Sequence, residues 1–153
     1  MKGILAMFVL ATVLMSCTST GGANFSNVIE KEWKLIEVRI ESGLRKEVIF
    51  DRNTLDNESA ENFFTLAFNE ERLSGAAAPN RYTAPYTLGE KDSISIKPMA
   101  STMMASLFEP ESLREHVYYS YMHNVYKWDL DDENLILYSK TEDGLDIRMT
   151  FAN

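Results

Sequence analysis

Cysteine is almost absent from this chain. There is one in 153 residues, at Cys17. An internal disulfide is excluded, since a bridge takes two thiols. Basic residues are also scarce: 15 Lys and Arg stand against 23 Asp and Glu, for a formal charge of −8. Nucleic-acid binding rests on basic patches that meet phosphate, so this balance argues against such a partner. It argues equally against a polybasic hold on anionic lipid. Long apolar runs are missing except one, Ile4 to Leu14, and that run is shorter than the ~20 residues a membrane-spanning helix needs. The chain has no Gly-x-Ser-x-Gly motif, no glycine run that would cradle a phosphate, and no internal repeat. These absences lead us to expect no catalytic residues, no metal and no cofactor.

The N-terminus carries the most specific pattern. Lys2 is followed by the apolar run, which ends in Leu14-Met15-Ser16-Cys17. A charged start, an apolar stretch and a small residue at the end make a secretory signal peptide. With Leu at −3, Ser at −1 and Cys at +1, the site resembles a lipobox, although Met15 at −2 is a less usual residue there. The resemblance implies lipidation of Cys17 and cleavage before it. Two or more acyl chains anchor stably where one does not. The expected partner of Cys17 is therefore the membrane, through its lipid, with Thr18 at +2 favouring the outer membrane of a double-membrane envelope. We expect residues 1–16 to be the signal peptide, 17–31 the lipidated Cys and a flexible Gly/Ser/Thr/Asn tether, and 32–153 one domain.

Within that domain period-two alternation dominates. In "EWKLIEVRIE" Trp33 and Leu35 share one phase, and Ile36, Val38 and Ile40 the other, which fits a strand with a bulge. Phe64, Leu66 and Phe68 alternate, as do Ile94 and Ile96, then Leu145, Ile147, Met149 and Phe151. "DLDDEN" and "TEDG" read as hairpin turns. One segment differs. In "EPESLREHVYYSYMHNV", Leu113, Val117, Tyr121 and Val125 recur every four residues, with Pro110 and several acids early. That pattern predicts an amphipathic helix of about four turns. The expected fold is mainly β: a small antiparallel barrel with one helix. Its expected core is Trp33, Leu66, Phe68, Ile94, Ile96, Met104, Val117, Tyr121, Leu137, Ile147, Met149 and Phe151.

No other residue cluster outweighs an ordinary explanation. Ser74 beside Gly75 suits a turn after a strand. His116 and His123 lie on one side of the expected helix, some 10 Å apart along its axis, whereas a metal favours i, i+4 spacing or a third ligand. Asp129, Asp131, Asp132 and Glu133 suit a solvated hairpin and lack the Gly and terminal Glu of an EF-hand loop. The aromatics from Tyr118 to Trp128 suit a core face better than a binding face, with Tyr118 and Tyr121 inward.

Two blocks, "LAFNEERLSGAAAPNRYTAPYTL" and "ISIKPMASTMMAS", followed by the helix and "LILYSKTEDGLDIRMTF", resemble the META domain of HslJ-like bacterial envelope proteins. The matching residues are Ser74, Gly75, Asn80, Tyr82, Tyr86, Thr102, Met104 and Ala105. The resemblance implies a lipocalin-like β-barrel and a link to heat shock and antibiotic tolerance. It also implies that Pro79 and Ser106 stand where the family can carry a disulfide, so their Cα atoms should lie within roughly 7 Å. The expected function is a non-enzymatic, lipid-anchored envelope protein, acting as a binding or stress-tolerance module with envelope proteins as possible partners. The alternative is a lipocalin-like carrier of a small apolar ligand, for which a cavity of about 300 Å³ or more would be needed.

Overall fold

The structure is a computed structural model, and it describes residues 24–55, 61–105, 109–131 and 133–153. Ten strands form one antiparallel sheet: β1 Glu32–Ser42, β2 Arg45–Asp51, β3 Thr65–Phe68, β4 Arg72–Ala76, β5 Arg81–Leu88, β6 Ile94–Ile96, β7 Ala100–Ser101, β8 Lys127–Asp131, β9 Asn134–Lys140 and β10 Asp146–Ala152. Among the described residues there is one α-helix, α1, at Glu115–His123. The strand order is β6-β5-β4-β3-β1-β10-β9-β8, with β2 on β1 and β7 on β5.

β1 is the central strand, and its phase slip is a bulge. Its register against β10 shifts between Leu35 and Glu37. Trp33, Leu35, Val38 and Ile40 are consequently all buried on one side, despite their change of parity. Phe64, Leu66, Phe68, Ile94, Ile96, Ile147, Met149 and Phe151 are buried as their alternation requires. The expected hairpins join β8 to β9 and β9 to β10.

Four expectations need correction. First, the sheet curls but its ladder does not close into a barrel. The join between its ends is one isolated bridge, Ser93 to Lys127, supported by Ile94 N–H to Tyr126 O (3.2 Å) and Trp128 N–H to Asp92 O (3.0 Å). Residues 24–29 lie across this side. Phe25 sits edge-on to Phe68 (5.2 Å) and Trp128 (4.8 Å), and Trp33 Nε1–H donates to Val28 O (3.0 Å). Secondly, Phe25 and Val28 belong to the core, so the globule begins before Glu32 and takes in part of the expected tether. Thirdly, the helix has nine residues and begins at Glu115. Glu109, one of the early acids, lies outside the helix and reaches forward to accept the Glu115 N–H (2.5 Å), which serves as the cap. Tyr118 is fully buried as expected and Met122 is buried with it, while Val117 and Tyr121, expected in the core, are half-buried at the flanks of the inward face. Fourthly, Met104 is 55% exposed rather than buried. Asn80 holds its backbone, as described below, and leaves the side chain outside.

Candidate functional site

The β4–β5 connection is tied to the chain beyond β7 and to the helix by one side chain. Asn80 is almost fully buried. Its Nδ2 donates to Glu115 Oε2 (2.8 Å) and Met104 O (3.2 Å). Its Oδ1 accepts from Thr102 Oγ1 (2.8 Å) and the Met104 N–H (2.7 Å). Its own N–H donates to Glu115 Oε1 (3.0 Å), and its carbonyl accepts from Ala77 N–H (2.7 Å). Every polar group of Asn80 is thus used, as burial demands. Pro79 precedes it, and the Ala78–Pro79 peptide bond is cis. Ser106, the other position of the expected close pair, lies outside the described residues, as does Cys17.

A second layer lies beneath. Thr65 Oγ1 accepts from Ala76 N–H (3.0 Å), and Thr65 O accepts from Tyr82 Oη (2.8 Å). The hydroxyls of Tyr82 and Tyr118 pair at 2.8 Å. Close by, Arg52 donates to the carbonyls of Leu35, Glu61 and Phe63, and its burial lowers its pKa. Arg52 lies in the polar, turn-rich stretch "DRNTLDNESAEN", where nothing in the sequence marks it as an anchor. Burial raises the pKa of both Tyr82 and Tyr118.

The raised values predict the alkaline limit. The unfolded tyrosines ionise near pH 10, whereas the folded ones hold their protons, so the native state binds more protons above that pH. Stability is fully present below pH 10 and falls above it by up to about 2.7 kcal/mol per pH unit for two such groups. Urea midpoints measured from pH 9 to 11.5 should show this fall, and the double variant Tyr82→Phe/Tyr118→Phe should flatten it. An equal slope in the variant would refute the assignment.

The third feature is an open cleft of about 400 Å³ between α1 and the strand ahead of it. Pro98, Met99 and Ser101 form one wall; His116, Tyr119, Ser120 and His123 form the other. The helix therefore brings both histidines to one cleft, each exposed. Tyr119 is half-buried between them, with its hydroxyl 3.4 Å from Glu115 Oε1. Burial first, and then the Glu115 charge, raise its pKa. Among the described residues no three His, Cys, Asp or Glu converge as metal ligands. Asp129 caps the neighbouring Leu130 N–H (2.8 Å) in the hairpin region of the acidic cluster; Asp132 lies outside the described residues. Among the described residues no helix is long and apolar enough to cross a membrane.

Residues 26–150 match the sequence model of the META domain. The fold is similar to that of a protein from Burkholderia xenovorans solved by NMR, with 15% identity, a TM-score of 0.58, and coverage of 99% of this chain and 97% of that one. It is also similar to a DUF4847 family protein from Bacteroides vulgatus ATCC 8482, solved by crystallography, with 12% identity, a TM-score of 0.57, and coverage of 84% and 95%. At these identities the likeness concerns the fold alone. No curated protein matches the sequence.

Proposed function

This chain belongs to the META domain family, and from that premise we propose that it is a non-enzymatic, lipid-anchored protein of the bacterial envelope. Its domain acts as a binding or stress-tolerance module held near the membrane by lipid on Cys17. The observation that carries this reading is the placement of the lone thiol. It stands directly after a signal-type apolar run and a small residue, where the lipobox pattern needs it. Thr18 at the next position favours the outer membrane. We read the curled sheet, the single bridge between its ends and Phe25 beside it as an open sheet of lipocalin-like kind, not a closed barrel.

The packing of the interior favours surface binding over the carrier alternative. Trp33, Tyr118, Phe50, Phe64, Phe68 and Phe151 are all fully buried within one cluster, and small barrels filled by side chains hold no cargo. Partners would then meet the outside of the domain, as envelope proteins can.

The test is Cys17→Ala. Native protein should label with radioactive palmitate and partition into the detergent phase of Triton X-114. The variant should do neither and should appear in the soluble fraction. Unchanged partitioning and labelling would sink the anchor. A domain made for partner searches must retain Phe25, since its ring is part of the core.

A further inference from the structure

The cleft beside α1 has one wall that is a sheet edge. Thr102 N–H donates to Arg81 O (3.0 Å), and Ala100 and Ser101 pair with Thr83 and Tyr82 of β5. In an antiparallel ladder, successive residues turn their N–H and C=O to opposite edges. Ala100 and Thr102 therefore face β5. Met99, Ser101 and Met103 turn their backbone groups the other way, where no described strand pairs with them.

The remaining edges are guarded. β2 carries Arg45, Lys46 and Glu47 on its exposed stretch and a register shift against β1. β8 meets the Ser93 bridge. Charges, bulges, prolines and very short strands are the usual defences against strand pairing; β7 carries no charge of its own, and its defences are its two-residue length, Pro98 ahead of it and a one-residue slip in register against β5 between β6 and β7. What stands beside it is α1, whose Tyr119 hydroxyl interacts with the Ser101 side chain, and next to that contact the cleft of about 400 Å³ is open to solvent.

We propose that the cleft between β7 and α1 binds an extended peptide segment of a partner protein, which adds to the edge of β7 as a further strand. This names the partner class for the binding-module reading and rests on that reading, though not on the lipid anchor. Strand addition into a groove between an edge strand and a helix takes affinity from main-chain hydrogen bonds and specificity from alternate side chains. The backbone from Met99 to Met103 spans about 13 Å, enough for a strand of about five residues. The cleft is lined by no Lys, Arg, Asp or Glu, so the inward side chains of the guest are apolar or uncharged. Met99 lines the cleft, and Met103 (97% exposed) and Met104 stand beside it. Thioether side chains adapt to varied apolar partners. Ser101, Ser120 and the two histidines supply polar contacts along the rim.

The experiment uses the full chain in detergent and a panel of fluorescein-labelled, capped heptapeptides. Each peptide has Val, Ile, Tyr or Met at alternate positions and Ser or Thr between them. Fluorescence anisotropy should detect binding of the better sequences at about 10–100 µM, a range ordinary for weak recognition. N-methylation at one parity of the bound peptide should abolish binding, while methylation at the other parity should spare it, because only one edge of the guest meets β7. Ser120→Trp fills the cleft from an accessible helix position and should weaken binding at least tenfold with an unchanged melting temperature. Failure of every peptide at 1 mM, or equal loss at both parities, would overturn the proposal. So would a dimer of the peptide-free chain that Ser120→Trp dissociates, since the occupant would then be a second copy. Cys17→Ala should bind the same peptides as the native chain. The groove can therefore fail while the anchor stands, and the reverse.

Discussion

Gly75→Ala is expected to destabilise the domain by about 4 kcal/mol, lowering the melting temperature by roughly 15 °C. A Cβ on Gly75 would stand 2.0 Å from Thr65 O, 2.8 Å from Thr65 C and 2.8 Å from Tyr82 Oη. Two of those three atoms are backbone, and they belong to a strand that also pairs with β1. Relief requires β3 and β4 to separate at their far end. The Tyr82 bond to Thr65 O and the Ala76 bond to Thr65 Oγ1 would then be lost. Overpacking typically costs about 1–3 kcal/mol, and each broken hydrogen bond adds about 1 kcal/mol. Gly43→Ala is the control. Gly43 lies at φ +59° with open space around it, so only the backbone cost of about 1 kcal/mol applies. Thermal unfolding followed by circular dichroism gives both values. A Gly75→Ala protein no less stable than Gly43→Ala would show that the close approach of β4 to Thr65 does not exist in solution.

Gly75 also marks what can be read from a chain alone. Its identity was visible as part of a family block. Its reason was not, because the obstructing atom is a carbonyl ten residues away in sequence, reached only through strand pairing. The strands themselves were legible, since a half-buried sheet writes its geometry into every second residue. Even the bulge in β1 announced itself as a change of parity between Leu35 and Val38. The helix was legible as an element but only partly in phase: Tyr118 is buried as expected, as are Leu113 and Val125 of the apolar stripe. Val117 and Tyr121 flank the buried pair Tyr118 and Met122, and a helix set on a sheet shields residues on both sides of its inward line. Its start was misplaced because the Glu109 carboxylate caps from outside the helix. Phe25 was hidden for a different reason: a single aromatic in a polar stretch has no period, so nothing in the sequence separates a plug from a tether residue. The failure of the sheet to close was hidden too: its ends meet at only one bridge between distant segments, which no local pattern encodes.

The cleft was half-visible. His116 and His123 were correctly placed on one side of a helix, and the opposite wall was not foreseen. β7 is only two residues long, too short for alternation to show. Its position depends instead on Asn80, whose side chain holds Thr102 and Met104 by their polar groups. The same residue that exposes Met104 thus sets the free edge on which the proposed peptide site relies. Stability at the Asn80 knot and function at the cleft are therefore linked.

Asn80→Asp tests that linkage through pH. The substitution keeps the shape and the acceptor for Thr102 Oγ1 and Met104 N–H, but it replaces the Nδ2 donor with a carboxylate oxygen. That oxygen would stand where Nδ2 lies now, 2.8 Å from Glu115 Oε2. Two adjacent carboxylates cannot both ionise freely, so one of the pair would hold its proton above the ordinary carboxyl range when folded. The folded variant then binds more protons than the unfolded chain between about pH 4 and that raised value. Its stability must fall as pH rises through this window and return as pH falls. At pH 7 the expected loss is about 3 kcal/mol, from the two missing donor bonds and the repulsion. At pH 4.5 part of that loss should be recovered relative to the native protein, at up to about 1.4 kcal/mol per pH unit. Asn80→Ala removes those two bonds and also the two made by Oδ1 without adding charge, so its deficit should stay constant across the range. Urea unfolding of the three proteins at pH 7.0, 5.5 and 4.5 separates the cases. Parallel curves for Asn80→Asp and Asn80→Ala would mean that Glu115 does not face Asn80. The knot between the β4–β5 connection, the strand edge and the helix would then have to be redrawn.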